Sequence, residues 1–283
     1  MTGQEGTISI EARPEPISVQ LSRTAVLVVD MQNDFGSKGG MFDRAGIDIS
    51  IIRRAIEPTA RVLAVARARD VPIVYLTMQH RSDLADMGDD TAPHRIKHHP
   101  FHVGEAVTSP DGPRSRILVE GGWGVSIIPE LRPEKGDFVV PKHRYSGFFE
   151  TQLDSVLRRL RVRHLVVTGC TTSVCVESTV RDAMFRDYQC IVLEDCTAEP
   201  IGSSNSRGNH EASLLTVELV LGWVSNSEVF CRRLGRGSPR RPTRSGPETH
   251  RDRGHGSNPR SPAQRLSKLK PPRRVSSRCT AAL

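Results

Sequence analysis

The sequence lacks several features that would assign it to a common class of protein. No apolar stretch approaches the length of a membrane span, and the N-terminus has no apolar segment of the signal-peptide type. The six cysteines have no repeating spacing, and neither a Cys-x-x-Cys pair nor a cysteine–histidine cluster indicates a zinc site. We therefore expect a reduced, cytoplasmic protein of enzyme size, with no membrane partner and no cofactor.

Acidic residues are scarce only at one end of the chain. Residues 235–283 hold 13 basic residues against 2 acidic ones, whereas residues 1–234 hold 27 against 30. Seven prolines and few apolar side chains predict that residues 235–283 form a disordered tail. A basic tail would suit a non-catalytic nucleic-acid binder, but the absence of interleaved aromatic residues argues against nucleic acid as a partner.

Between residues 23 and 234, short apolar runs alternate with segments of helical periodicity. This alternation predicts an α/β domain with a doubly wound parallel sheet and helices on both faces. The preceding residues 1–22 are polar, contain Pro14 and Pro16, and are predicted to form a loose N-terminal arm. The predicted strands are residues 24–30, 72–77, 137–140, 163–168, 190–195 and 223–224.

Residues 79–122 are rich in histidine, glycine, proline and aspartate and show no periodicity. A loop of this length in a compact domain is usually functional or disordered, and we interpret it as the segment that faces the substrate. The irregular spacing of its histidines, and the lack of an obvious carboxylate partner, argue against a metal site. These histidines are His80, His94, His98, His99 and His102.

Three reactive side chains follow predicted strands: Asp30, Lys142 and Cys175. Because the carboxyl ends of parallel strands lie at one edge of a sheet, these side chains can meet although they are far apart in sequence. Asp30 would then act as a general base toward the thiol, and Lys142 would lower the pKa of both partners. The start of a helix near Cys175 would also make the thiol easier to ionise.

Each of these residues also has a simpler interpretation. Asp30 could cap nearby backbone, Lys142 could be a surface lysine, and Cys175 could be a small buried apolar residue. A redox pair of Cys170 and Cys175 is a further alternative, but cysteines five residues apart across a strand–helix turn are poorly placed for a disulfide. The coincidence of three strand ends favours an active site.

Three motifs stand at the predicted strand ends, namely VVDMQNDF at 28–35, PK at 141–142 and TGCTTSVCV at 168–176. They resemble those of the isochorismatase-like cysteine hydrolases, and the resemblance covers roughly residues 20–234. It implies a six-stranded parallel sheet, a cis peptide bond between Cys170 and Thr171, and an oxyanion site formed by the N–H groups of Thr171 and Cys175. The catalytic triad that it implies is Asp30, Lys142 and Cys175.

Narrower features point to branches of this family. Residues 142–151 and 175–179 resemble the ureidoacrylate amidohydrolases of pyrimidine breakdown, whereas residues 80–86 resemble the biuret-hydrolysing branch. Nicotinamidases are disfavoured because residues 41–45 lack the histidine of their Asp-x-His metal site. True isochorismatases are disfavoured because they lack the nucleophilic cysteine that is present here.

The resemblance therefore implies a metal-independent amidohydrolase that cleaves a terminal ureido or carbamoyl C–N bond of a small molecule. A thioester intermediate would form, and ammonia and a carbamate would be released. Biuret and N-carbamoyl amino acids are alternative substrates to a ureidoacrylate, and a homo-oligomer is expected. The residues predicted to contact the substrate are Asn33, Phe35, Trp123 and Tyr145.

Overall fold

The computed structural model describes residues 6–203 and 208–235, so the predicted basic tail lies outside the described residues apart from Gly235. None of the described helices is both long enough and apolar enough to cross a bilayer. The strands are β1 Thr7–Ile10, β2 Ile17–Gln20, β3 Thr24–Val29, β4 Ile73–Met78, β5 Ala106–Thr108, β6 Arg114–Arg116, β7 Phe138–Lys142, β8 His164–Cys170, β9 Gln189–Ala198 and β10 Trp223–Ser225.

Short helices dominate the connections between these strands. The α-helices of the described residues are α1 Asn33–Gly36, α2 Met41–Arg44, α3 Ser50–Arg53, α4 Ile56–Ala68, α5 Pro93–His98, α6 Leu153–Arg159, α7 Glu177–Met184, α8 Asn209–Thr216 and α9 Ser227–Gly235. Further 3₁₀ turns lie at Leu21–Arg23, Ala85–Met87, His99–Phe101 and Pro129–Leu131, and π-helical turns lie at Thr172–Val176 and Val217–Leu221.

Six strands form one sheet in the order β10–β9–β8–β3–β4–β7, and every neighbouring pair is parallel. In β3, Val26 and Val28 enter one core with α4 and α9, whereas Leu27 and Val29 enter the other core with α6 and α7. Because both faces of the strand are buried, its sequence is an unbroken apolar run. The predicted doubly wound sheet with helices on both faces is confirmed.

The first described residues do not form the loose arm that was expected. β1 and β2 pair as an antiparallel hairpin, and Ile10 and Val19 are fully buried in the same core as α9. Arg13 exchanges two backbone hydrogen bonds with Val224 of β10, at 2.8 and 3.0 Å. The expectation of a loose arm was wrong because buried residues alternate with exposed ones in β2, and Pro14 and Pro16 lie between the two strands, where they remove no ladder hydrogen bond.

Residues 79–122 are more ordered than a long loop. They contain α5 and the antiparallel pair of β5 and β6, and Leu118 is buried. The Leu118 N–H donates to Asp34 Oδ2 at 2.8 Å, and the Leu118 carbonyl accepts the His80 N–H at 2.7 Å. The buried carboxylate of Asp34 also accepts the Met41 N–H at 3.1 Å. One carboxylate therefore fastens this segment to the loop that follows β3.

Candidate active site

Asp30, Lys142 and Cys175 meet at the carboxyl edge of the sheet. Lys142 Nζ lies 2.7 Å from Asp30 Oδ2 and 3.4 Å from Cys175 Sγ. The charges of Asp30 and Lys142 both act on the pKa of the thiol, in opposite directions. Lys142 donates a further hydrogen bond to the backbone carbonyl of Arg144 at 3.2 Å. The three predicted catalytic side chains therefore form one connected group.

Strand ends position these side chains. Asp30 directly follows β3 and has a positive φ of 51°. Lys142 is the last residue of β7, where it pairs with Met78 at the end of β4. Cys175 lies in the π-helical turn that joins β8 to α7. The strand order β8–β3–β4–β7 brings all three ends together.

A glycine allows β8 to approach β3 at this edge. Gly169 lies opposite Val29 in the parallel pairing and has a φ of 114°. A Cβ atom at this position would lie 2.0 Å from the Val29 carbonyl oxygen, far closer than any real contact. The glycine of the Thr-Gly-Cys motif is therefore required by the backbone that carries Asp30.

Burial and mutual charge set the ionisation of the triad. Asp30 is 0% exposed and Lys142 is 1% exposed. Burial raises the pKa of Asp30 above its usual value, although the charge of Lys142 acts in the opposite direction. Burial alone lowers the pKa of Lys142, but the charges of Asp30 and Cys175 outweigh it and the pKa is raised overall. The lysine therefore stays protonated, and the carboxylate is a stronger base than a free aspartate.

The thiol behaves differently from the expectation. Burial raises the pKa of Cys175, Lys142 lowers it, and Asp30 raises it again, so that the pKa is well above that of a free cysteine. The expected easily ionised thiol is wrong because the loss of hydration outweighs the nearby ammonium. Cys175 is therefore a protonated thiol beside a base, and its proton must leave during reaction.

The backbone around the thiol agrees with the family resemblance. The peptide bond between Cys170 and Thr171 is cis, as the resemblance implies. Thr171 and Cys175, the two predicted oxyanion donors, line the same cavity. Cys170 is a free thiol that points to the Asp30 carbonyl oxygen, with an S–O distance of 3.2 Å.

Two side chains that the sequence did not single out hold the cysteine turn. Thr179 Oγ1 donates to the Cys175 carbonyl at 2.7 Å and accepts the Gly147 N–H at 2.9 Å, which ties α7 to the segment after β7. The Glu199 carboxylate accepts the N–H and the hydroxyl of Ser173, at 2.7 and 2.5 Å. Thr179 lies four residues after Cys175, a spacing at which a threonine bonds the preceding turn of a helix.

A cavity of about 290 Å³ opens beside Cys175. Phe35 and Tyr145, two of the predicted substrate contacts, line it. Its wall is mainly apolar and aromatic with a few polar groups, which suits a small planar ligand. Other lining residues were not predicted one by one: Met41 and Phe42 follow β3, and Lys97, His98, Phe101 and Leu118 come from the segment 79–122 that was expected to face the substrate.

Asn33 and Trp123 are placed elsewhere. Both line a separate surface depression, and the described residues around the Cys175 cavity include neither of them. The Asn33 amide donates to the Trp123 carbonyl at 2.9 Å, and its oxygen accepts the Ser37 hydroxyl at 2.8 Å. The structure therefore corrects their predicted role, because Asn33 is used to join α1 to the Trp123 loop.

Comparison with known families agrees with this geometry. The family model described as the isochorismatase domain matches residues 24–229. The chain belongs to the isochorismatase family. It is a hydrolase.

Relatives of this isochorismatase-family hydrolase are similar over almost their whole length. The ureidoacrylate amidohydrolase RutB of Klebsiella pneumoniae is 39% identical over 232 residues, which cover 82% of this chain and 95% of that protein. The structure of a cysteine hydrolase from Pseudomonas syringae pv. phaseolicola is 28% identical, has a TM-score of 0.65, and matches over 82% of this chain and 99% of its own. The N-carbamoylsarcosine amidase of Thermoplasma acidophilum is 26% identical, has a TM-score of 0.53, and matches over 73% and 97%.

Three histidines of the segment 79–122 gather beside the cavity of this isochorismatase-family hydrolase. One ring nitrogen each of His80, His94 and His98 lies within 4.8 Å of the other two. Burial lowers the pKa of His80 to about 4 and that of His94 to about 3, and it also lowers the pKa of His98, so the rings are neutral. The spacing of four residues between His94 and His98 was the signal for this cluster, because α5 places both on one face.

Proposed function

We propose that the protein is an amidohydrolase that cleaves a terminal ureido or carbamoyl C–N bond of a small molecule, with a ureidoacrylate as the first candidate. The buried group of Asp30, Lys142 and Cys175 is the observation that carries this proposal. The chain is 39% identical to a ureidoacrylate amidohydrolase over most of its length, and this similarity supports the same substrate class.

The first step is attack by Cys175 Sγ on the carbonyl carbon. Asp30 takes the thiol proton as the C–S bond forms, since its raised pKa makes it a competent base and the thiol is protonated at rest. The N–H groups of Thr171 and Cys175 would stabilise the oxyanion of the tetrahedral intermediate. The positive charge of Lys142 stabilises the negative charges that form on Asp30 and Cys175 within this buried site.

The second step releases ammonia. The C–N bond breaks, Asp30 returns its proton to the departing nitrogen, and ammonia departs while a thioester remains on Cys175. Water then attacks the thioester, with Asp30 again as the base, and releases a carbamate and the free thiol. The carbamate decays to an amine and carbon dioxide. No step in this sequence draws on a metal ion.

A second candidate is hydrolysis of biuret or of an N-carbamoyl amino acid. The structural likeness to an N-carbamoylsarcosine amidase favours it, as does the cavity wall that Lys97 and His98 contribute. Both residues come from the segment 79–122, which also carries the residues similar to the biuret-hydrolysing branch. Lys97 and His98 would therefore distinguish a ureidoacrylate from biuret or an N-carbamoyl amino acid.

A screen for ammonia release tests the substrate assignment. Purified protein would be incubated with ureidoacrylate, biuret, N-carbamoyl amino acids and nicotinamide, and kcat/KM would be compared. The proposal expects turnover of a ureido or carbamoyl compound, and preference among these compounds identifies the branch. Turnover of nicotinamide alone would contradict it.

We also infer a cytoplasmic homo-oligomer that acts in nitrogen metabolism, in pyrimidine degradation if a ureidoacrylate is the substrate. The apolar side chains of Leu215, Leu219 and Val220 support the oligomer, since they are 54–66% exposed within one helical segment. Light scattering coupled to size-exclusion chromatography would measure the molar mass. A monomer at micromolar concentration would contradict this part of the proposal.

A further inference from the structure

The three histidines beside the cavity are arranged around a common point. His80 lies just after β4, and His94 and His98 lie one turn apart on α5. Ring centroids are 4.1 Å apart for His94 and His98, 5.5 Å for His80 and His94, and 5.9 Å for His80 and His98. Two segments of the chain therefore bring three imidazoles together in one small volume.

The outer nitrogens of two rings are already engaged. His80 Nδ1 lies 3.2 Å from Asp86 Oδ1, and His98 Nδ1 donates to the His94 carbonyl at 2.7 Å. A carboxylate or a carbonyl on the outer nitrogen is the arrangement that orients an imidazole for metal binding and raises its basicity. These contacts leave Nε2 as the ligand atom of His80 and His98.

The inner nitrogens lack partners. His80 Nε2 and His94 Nε2 are buried, and neither has a hydrogen-bond partner among the residues that the structure describes. The His80 side chain is fully buried, so bulk water does not satisfy it. An unsatisfied buried nitrogen is costly, and two of them beside a third imidazole indicate that a ligand belongs between the rings.

We propose that His80, His94 and His98 bind one divalent transition-metal ion, with Zn²⁺ as the reference ion. Imidazole nitrogen suits zinc, cobalt and nickel, and three protein ligands leave one coordination position open. Tetrahedral ligands with metal–nitrogen bonds of about 2.1 Å lie roughly 3.4 Å apart, so the rings would close by little more than an ångström. His94 lies partly at the surface and is free to make this adjustment.

The ion would lie at the wall of the cavity that contains Cys175, because His98 lines that cavity. Tyr145 packs on both helix histidines, with ring centroids 5.3 Å from His94 and 5.8 Å from His98. The carboxylate of Asp86 favours a cation here, whereas the charges of Lys142 and Arg144 oppose it. The site is independent of the triad chemistry proposed above, which uses none of these rings.

Cobalt titration tests the proposal without an activity assay. The probe is Co²⁺, added to tag-free, chelator-treated full-length protein with the substitution Cys175→Ala, which removes the nearest reactive thiol. We expect saturation at one ion per chain and the visible absorption of tetrahedral Co²⁺ without a thiolate charge-transfer band. Competition with Zn²⁺ should remove the colour.

Variants separate this site from other histidines. His94→Gln and His98→Gln should each weaken Co²⁺ binding more than about tenfold, and Asp86→Asn should weaken it by about 10–100-fold through His80. The matched control is His99→Gln, an exposed histidine of the same segment, which should bind as the parent does. Melting curves confirm that each variant is folded. Absence of Co²⁺ binding to the folded parent would overturn the proposal, and so would His94→Gln and His98→Gln variants that bind Co²⁺ as tightly as the parent does.

Discussion

Two clusters of ionisable side chains adjoin the residues that line the Cys175 cavity, and they are built differently. In the first, Asp30 and Lys142 carry opposite charges, their Oδ2 and Nζ atoms lie 2.7 Å apart, and both residues are positioned at strand ends. In the second, His80, His94 and His98 are neutral rings from the segment 79–122, and the inner nitrogens of His80 and His94 have no hydrogen-bond partner among the described residues. The first cluster pairs a buried anion with a buried cation, and the second holds three neutral imidazoles. Strand ends of the sheet therefore position the proposed catalytic group, and the segment 79–122 supplies the three histidines.

Substitution of Lys142, which contacts both Asp30 and Cys175, should have the largest effect on activity. Lys142→Ala leaves Asp30 and Cys175 without the buried cation that stabilises their negative forms, so kcat should fall by about 10²–10⁴-fold. Lys142→Arg should restore little, because the larger guanidinium has a different geometry from a point charge. Steady-state kinetics with a melting curve for each variant would measure this. Unchanged kcat in folded Lys142→Ala would remove the lysine from the site.

The backbone beneath the triad should be the next most sensitive feature. Gly169→Ala brings a methyl group against the Val29 backbone and should lower the free energy of unfolding by more than about 3 kcal/mol, within the range of severe single substitutions. Gly121→Ala is the matched control, because Gly121 also has a positive φ, of 74°, but no described atom within 4 Å of the added Cβ. Its cost should be about 1 kcal/mol. Equal urea midpoints for the two variants would contradict the close approach of β8 to β3.

The pH dependence of kcat/KM should report the ionisation of Asp30. Asp30 must be ionised to accept the thiol proton, so the rate falls as pH falls through its pKa, by about tenfold per unit. Because burial raises that pKa, the acid limb should lie above the ordinary aspartate value of about 3.9. The apparent pKa belongs to the coupled triad. An acid limb at or below the ordinary value would be inconsistent with a buried base.

The smallest expected effect is a change in KM that should distinguish Tyr145 from Trp123. Tyr145→Leu removes a ring from the cavity wall and should raise KM by about 3–10-fold, the value of one aromatic contact. Trp123→Leu changes a side chain that lines a different depression and should leave KM within about twofold. Initial-rate kinetics on both variants would suffice. A larger KM effect for Trp123→Leu than for Tyr145→Leu would show that the substrate lies elsewhere.

The sequence predicted the sheet, and that Asp30, Lys142 and Cys175 would meet, because the strands that carry these residues have local signals. Apolar runs such as residues 24–29 mark buried parallel strands, and Asp30 and Lys142 follow or end such runs. The N-terminal hairpin was missed because its stability comes from contacts with β10 and α9, more than 200 residues away in sequence. Contacts over that separation leave no periodicity in a short polar segment.

The cavity wall was predictable only in part. Phe35 follows β3 within a motif, so its place near the active site could be inferred. Asn33 lies in the same motif, but its amide donates a hydrogen bond to the Trp123 carbonyl. The sequence does not reveal this contact. The ordered structure of residues 79–122 depends on the hydrogen bond from the Leu118 N–H to Asp34. No local sequence pattern predicts a contact of this kind.

The most direct test of the central claim is single-turnover release of ammonia by the Cys175→Ala variant. The variant would be mixed with the best ureido or carbamoyl substrate of the parent protein, after a melting curve has shown that it is folded. If Cys175 is the nucleophile, no ammonia should appear within many parent turnover times, and only the parent should form a covalent adduct visible by intact-mass spectrometry. Ammonia release by the variant at the parent rate would contradict the account.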